Sequence, residues 1–193
     1  MSKIKRYLQA KKRAKLAKLM EPFMRYAFEH NGKVLKDTRV GSTTSIVHPE
    51  ALDLADNVFI GQYNFIEASN GMTIEEGCQI TNYISILTHS SHNAIRYYGK
   101  AYRHSKDLKG YVKGSVRLGK YTFVGPHSTI QAGTSIGKGS IVAAYSMVKG
   151  EFPDFAIIAG NPAKVVGDTR EADEAFLTEH PELREHYDAW AKA

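Results

Sequence analysis

The residues best suited to chemistry are two histidines in a hydroxyl-rich run, Thr88-His89-Ser90-Ser91-His92-Asn93. A neutral imidazole accepts a proton near pH 7, so either ring could act as a general base. In acyl transfer from a thioester, such a base takes the proton from an acceptor hydroxyl or amine as that group attacks the carbonyl. The acceptor is then the nucleophile, and one histidine suffices if its other ring nitrogen is held. The developing oxyanion needs an N–H or hydroxyl donor nearby. Two alternatives stay open on the same residues. His89 and His92 could bind zinc with His104 or His127 as a third ligand, leaving one position open for water. They could also be purely structural. His30, His48, His180 and His186 stand in no motif.

What must position that run is a repeat. An aliphatic residue returns at every sixth position, at Leu118, Val124, Ile130, Ile136, Val142 and Val148. Two positions before each later member sits a small or hydroxyl residue: Thr122, Ser128, Thr134, Ser140 and Ser146. This period fits neither a helix nor a simple alternating strand. Sandwich strands usually recur at roughly 8–12 residues. A six-residue unit fits one short strand and a turn, and three units close one triangular coil. Residues eighteen apart then stack: Leu118 on Ile136, Val124 on Val142, Ile130 on Val148. The aliphatic and small residues point inward. Gly119, Gly125 and Gly137 would supply tight corners and tolerate positive φ. The expected fold is mainly β, a parallel β-helix in the shape of a triangular prism.

The repeat also runs earlier. Leu54, Ile60 and Ile66 keep the spacing, and Ile74, Ile80 and Ile86 resume it after a short insertion at Asn70-Gly71. Val40, Ile46 and Leu52 read as a first, degenerate coil, so the β-helix is expected over 40–166. Between Ile86 and Val116 the pattern fails. Residues 87–115, rich in His, Tyr, Lys and Gly, must leave the prism as an extended loop. Loops of that length inside a regular solenoid are usually functional or disordered.

The chain has 193 residues, enough for one domain with a substantial core. Its single cysteine, Cys78, occupies a small-residue slot of the repeat. No disulfide can form within the chain, and the usage fits a reducing cytoplasm. A small buried hydrophobe is the expected role for Cys78, not a nucleophile. No stretch is long and apolar enough to span a membrane. The basic start is followed by no apolar core, so no signal peptide is expected.

The net charge of +6 is unevenly placed: residues 1–30 carry +7 and the remainder −1. Residues 1–30 are expected to form a basic helical segment. Its Leu16, Leu19, Met20 and Phe23 could pack on the body or on a sister subunit. Alternatively, residues 1–20 could lie peripherally on an anionic inner-membrane surface. Nucleic acid is disfavoured as a partner, because the solenoid offers no aromatic stacking platform. The stretch 168–193 is acidic and carries Phe176, Leu177, Leu183, Tyr187 and Trp190. It is expected to be a helical cap over the open end of the prism, where an exposed edge would invite strand addition.

At these residues the chain resembles the hexapeptide-repeat acyltransferases of the left-handed β-helix class. The likeness is to the maltose and galactoside acetyltransferase branch and to acetyltransferases of bacterial surface-polysaccharide synthesis. One specific part is Thr88-His89, just before the extended loop. The other is the closing block from Ile136-Gly137 through Ser146-Met147-Val148, then Pro153 and Ala159-Gly160-Asn161-Pro162-Ala163-Lys164. The resemblance covers roughly Leu52 to Val166.

The resemblance implies a cytoplasmic, acetyl-CoA-dependent O-acetyltransferase with a saccharide acceptor and no metal. It would work as a homotrimer with each active site between two subunits. His89 would be the general base, and Asn64 would contact the acceptor. The coenzyme would pass Phe123, Gly125 and Ala144, with its phosphates at Lys149 and Lys164. N-acetylation of a nucleotide-linked amino sugar is the neighbouring alternative. There are departures from the family pattern. Phe123 stands where the family often has Trp, and Tyr145 adds bulk at the Ala143-Ala144-Tyr145-Ser146 corner. Arg96, Lys100, Arg103, Lys106, Lys109 and Lys113 make the loop more basic, either to attract phosphates or as a solvated face.

Overall fold

Leu118 pairs with Ile136, Val124 with Val142 and Ile130 with Val148 in parallel register, in a computed structural model that describes residues 3–192. The eighteen-residue stacking expected from the repeat is therefore present, and it builds three parallel sheets. The first contains Leu52–Leu54, Met72–Ile74, Val116–Leu118, Ser135–Ile136 and Glu151–Phe152. The second contains Lys33–Gly41, Phe59–Ile60, Gln79–Ile80, Phe123–Val124, Ile141–Val142 and Ala156–Gly160. The third contains Ser45–Val47, Phe65–Glu67, Ser85–Leu87, Thr129–Ile130 and Met147–Val148. The early coils are longer. Leu54, Ile60 and Ile66 pair with Ile74, Ile80 and Ile86, twenty residues on.

The inward aliphatic residues form one continuous core. Ile60, Ile66, Ile74, Ile80, Ile86 and the six residues from Leu118 to Val148 are all fully buried. Burying each such side chain contributes about 1.5–3 kcal/mol. The inward hydroxyls are satisfied by carbonyls at the corners. Thr122 donates to Gly137 O at 3.2 Å, Ser128 to Ala143 O at 3.0 Å and Ser140 to Pro153 O at 3.2 Å. Without these partners, each buried hydroxyl would destabilise the stack.

One detail of the corners differs from expectation. Positive φ falls not on Gly119, Gly125 or Gly137 but on Tyr121, His127, Gly133, Gly139 and Tyr145. Gly119 and Gly125 are needed for closeness instead: a Cβ on Gly119 would lie 2.6 Å from Lys138 N, and one on Gly125 2.6 Å from Ala144 N.

The ends also differ. A basic helix is expected through residue 30, but α1 (Lys3–Leu19) stops before Pro22, and Met24–His30 is a strand. That strand pairs antiparallel with Lys33–Gly41 and closes one edge of the second sheet. Met1 and Ser2 lie outside the described residues.

The loop 87–115 leaves and re-enters through a two-stranded antiparallel ribbon, His89–Ser90 against Val112–Lys113. Between these strands lie α2 (Ala94–Tyr98) and a 3₁₀ segment, Gly99–His104. The C-terminal stretch is two helices rather than one, α3 (Thr169–Glu179) and α4 (Arg184–Ala191), with Asp168 capping α3 through Arg170 N. Ala193 lies outside the described residues. These helices sit against a corner of the prism, where Trp190 stacks on Tyr121 at 4.5 Å between ring centroids. The sheet edge they were expected to cover is instead paired by Ala163–Asp168, antiparallel on Ala156–Gly160.

Candidate active site

The third sheet delivers His89. Its strand Ser85–Leu87 pairs with Phe65–Glu67, and the register sets Glu67 beside Leu87, two residues before His89. The chain then turns out of the prism into the ribbon, which carries the imidazole to the corner between the third and first sheets.

Glu67 is 5% exposed and collects donors on both carboxylate oxygens. Its Oε2 accepts from His89 Nδ1 at 2.7 Å, from Thr88 Oγ1 at 2.7 Å and from the Thr88 N–H at 3.3 Å. Its Oε1 accepts from the Ser69 N–H at 2.9 Å. Burial pushes this carboxyl up. The hydrogen bonds from Ser69 and Thr88 and the charge of His89 outweigh burial and hold it down, at about 2. Glu67 is thus ionised at neutral pH and can only accept. Nδ1 of His89 therefore carries the hydrogen, and Nε2 is the basic atom of the neutral ring. Tyr111, returning from the loop, stacks on the imidazole at 5.4 Å and 19°. Its phenol pKa is raised, by burial first and then by the charges of Tyr102 and Glu67.

The imidazole lines one cavity, and its neighbours Ser69 and Tyr111 line a second. One, of about 120 Å³, is lined by His89, His92, Val112, Gln131, Ala132 and Lys149. The other, of about 560 Å³, is lined by Ser69, Asn70, Lys106, Asp107, Leu108, Tyr111 and Lys113. Ser69 Oγ lies 3.3 Å from His89 Nδ1 and links the second cavity to the ring. A base with a free Nε2, fixed from behind by a buried carboxylate and set on a cavity wall, can move a proton between molecules bound beside it.

The geometry separates the two histidines. His92 Nδ1 meets Ser90 Oγ at 2.8 Å, and among the described residues no carboxylate orients it. The zinc arrangement is not assembled. His127 lies on another corner, stacked between Tyr83 and Tyr145 at 4.9 Å from each. Among the described residues, no three His, Cys, Asp or Glu side chains are grouped to hold a metal ion. Cys78 is buried, and burial pushes its thiol up to about 12, so it offers no thiolate.

Of the other residues singled out in the sequence, only Lys149 shares a cavity with His89. Asn64 is 3% exposed at the corner between the second and third sheets. Its Nδ2 donates to Thr81 O, and its Oδ1 accepts the Ile84 N–H, both at 2.8 Å. Those bonds hold the corner together, and within one copy they lie away from His89. Phe123 is half-exposed on the second sheet, and Gly125 and Ala144 lie on the same corner as Asn64. Lys164 lies on the closing hairpin, opposite Ala159. Of the six basic loop residues, Lys106 and Lys113 line the larger cavity beside His89.

Glu67 and Tyr111 are missing from the sequence reading. Tyr111 has no sequence signal, but Glu67 had one. The repeat sets Ile66 over Ile86, so the acid after Ile66 must fall within two residues of His89.

The arrangement is a parallel β-helix of six-residue units with a carboxylate-oriented histidine where its loop departs. Residues 115–150 match the family described as bacterial transferase hexapeptide (six repeats). Over 114 residues the chain is 29% identical to WbbJ of Escherichia coli (strain K12), named as an O-acetyl transferase of lipopolysaccharide biosynthesis; the match covers 58% of each. Over 75 residues it is 36% identical to a protein of Mycobacterium tuberculosis named a probable acetyltransferase, covering 39% of this chain and 25% of that one. The chain thus spans 25% and 58% of the lengths of these two relatives. The fold is shared with AntD, an N-acyltransferase from Bacillus cereus solved with dTDP and coenzyme A. Its TM-score is 0.54 at 21% identity, covering 74% of this chain and 89% of that one.

Proposed function

We propose that this chain is an acetyl-CoA-dependent O-acetyltransferase acting on a sugar hydroxyl, in bacterial surface-polysaccharide synthesis in the cytoplasm. The observation that carries the reading is the Glu67–His89 pair, with the imidazole on a cavity wall. Nε2 of His89 takes the proton of the acceptor hydroxyl as its oxygen attacks the thioester carbonyl carbon. The tetrahedral adduct collapses, the C–S bond breaks, and the departing coenzyme A thiolate takes the proton back from His89. Holding both substrates against one base supplies much of the rate. No acyl-enzyme is needed, in keeping with the raised thiol of Cys78.

The reading includes a left-handed coil and a homotrimer. Lys149 stands by His89, while Phe123, Gly125 and Ala144 stand on another corner. A trimer with its sites between subunits would set that corner of one copy beside His89 of the next. Acetyl-CoA would then contact both copies, with Lys149 and Lys164 available to its phosphates. The larger cavity, with Lys106 and Lys113, suits an acceptor that carries phosphate, such as a nucleotide-linked sugar. An amino sugar is the second reading, supported by the fold shared with an N-acyltransferase.

The test is thiol release from acetyl-CoA with a panel of nucleotide sugars and glycosides. Acceptor-dependent release that falls about 10²–10⁴-fold in His89→Ala supports the reading. A neutral amine needs less help from a base, so a much milder loss with an amino sugar would favour N-acetylation. Undiminished release in His89→Ala would refute the base assignment.

A further inference from the structure

Of the two cavities at the site, only the smaller has His89 in its wall. Glu67 and Ser69 meet the ring at Nδ1, and Tyr111 covers one of its faces. None of these three lines the smaller cavity, so it occupies the remaining side of the ring, which carries Nε2. A hydroxyl that Nε2 deprotonates must have the thioester carbonyl carbon within reach. The smaller cavity is therefore where the reacting atoms meet.

Its wall is divided. His92 and Lys149 are exposed and mark the mouth, whereas Ala132 is 8% exposed and marks the depth. Leu87 and Val112, both half-buried, join Ala132 as the apolar part. Val112 stands opposite Ser90 in the ribbon, and Ala132 follows the strand Thr129–Ile130. The larger cavity differs in kind: Asn70, Lys106, Asp107 and Lys113 give it polar and charged walls, suited to a hydroxylated or phosphorylated acceptor. An apolar recess beside the base suits a methyl group instead.

The recess is small and firmly built. The Gly114 N–H donates to Thr88 O at 3.0 Å and pins the returning ribbon. A Cβ on Gly114 would lie 2.6 Å from Gly133 N, so the backbone just after Val112 is pressed against the backbone just after Ala132. The cavity measures about 120 Å³. An apolar cavity of about 150 Å³ takes a benzene ring, so this one takes about five non-hydrogen atoms. An acetyl group, the sulfur it leaves and the oxygen that attacks it fill that space. We propose, resting on the acyltransferase reading, that this recess receives the acyl group and that Val112 and Ala132 select acetyl over longer chains by size.

The test compares kcat/KM for acetyl-, propionyl- and butyryl-CoA by thiol release, using the full chain and the same panel of nucleotide sugars and glycosides. One methylene in a closed pocket is worth about 10–200-fold, so the wild type should lose about tenfold or more from acetyl to butyryl. Val112→Ala takes two methyl groups from the wall and should raise the butyryl-to-acetyl ratio by about tenfold or more. Ala132→Val adds two and should lower the propionyl-to-acetyl ratio by a similar factor. Ratios taken within one variant do not depend on how much of it is folded. A wild type indifferent to chain length, or ratios that neither variant moves, would overturn the inference and leave the acyltransferase reading in place. Thiol release from none of the three thioesters would overturn that reading, and the inference with it.

Discussion

Replacing Glu67 with Gln keeps the volume of the side chain and removes its charge. In the proposed mechanism His89 becomes an imidazolium in the transition state, and Glu67 Oε2 is 2.7 Å from its Nδ1. Two unit charges about 4 Å apart interact by roughly 4 kcal/mol at an effective dielectric near 20. The His89 side chain is 33% exposed, so water screens part of this, and about 2 kcal/mol is a fair share to assign. At 1.36 kcal/mol per tenfold, kcat should fall about 30-fold. KM for acetyl-CoA should change little, because Glu67 sits buried behind His89.

The amide also has one acceptor oxygen where the carboxylate has two. With that oxygen toward His89, its NH2 meets the Ser69 N–H that now donates to Oε1. This mismatch should cost about 1–3 kcal/mol of stability. The assay is acceptor-dependent thiol release, with urea unfolding to establish that the variant is folded at the assay temperature. His92→Ala is the control and should stay within about threefold of wild type. Glu67→Gln within threefold of wild type, or His92→Ala as impaired as His89→Ala, would refute the reasoning that the carboxylate selects the base.

Glu67 should also mark the acid limb of stability. Its carboxyl titrates at about 2 in the folded chain against an ordinary 4.5. Below pH 4.5 the unfolded chain binds the extra proton first, so stability falls as pH drops from about 4.5 to about 2, by up to about 3 kcal/mol. Urea midpoints across that range should show the loss in wild type and less of it in Glu67→Gln. Asn64→Ala removes two hydrogen bonds at a buried site and should cost about 2–4 kcal/mol, with acceptor KM within about threefold. A raised acceptor KM with unchanged stability would assign Asn64 to the acceptor. Gly119→Ala would put a Cβ 2.6 Å from Lys138 N, backbone against backbone, and should lower stability by about 1–3 kcal/mol or more, read as a lower urea midpoint.

The prism was legible because its periodicity is a one-dimensional property of the chain. Six aliphatic residues at a fixed spacing predict their own stacking, and Leu118, Val124 and Ile130 meet Ile136, Val142 and Val148 as that spacing requires. The ends were less legible because their structure is set by pairing partners. Met24–His30 is a strand because the edge strand Lys33–Gly41 offers it a ladder, across a turn at Asn31 and Gly32. Helix propensity over residues 1–30 carries no information about that edge. Positive φ at Tyr121, His127 and Tyr145 was hidden for a related reason: corner geometry overrides the usual preference for glycine.

The site shows the same division. His89 was visible because it stands where the repeat stops. Glu67 lies a coil earlier, where the coils repeat at twenty residues and not at the eighteen of the later ones. Ile66 over Ile86 sets Glu67 beside Leu87, and Ser69 then binds that carboxylate through its backbone N–H. The two additional residues shape the corner: the Asn70 N–H donates to Thr88 Oγ1, which itself donates to Glu67. A two-residue deletion at Asn70-Gly71 that kept Ile66 over Ile86 should keep Glu67 beside Leu87 and lose the hydrogen bond to Thr88, leaving the carboxylate in register with one fewer restraint.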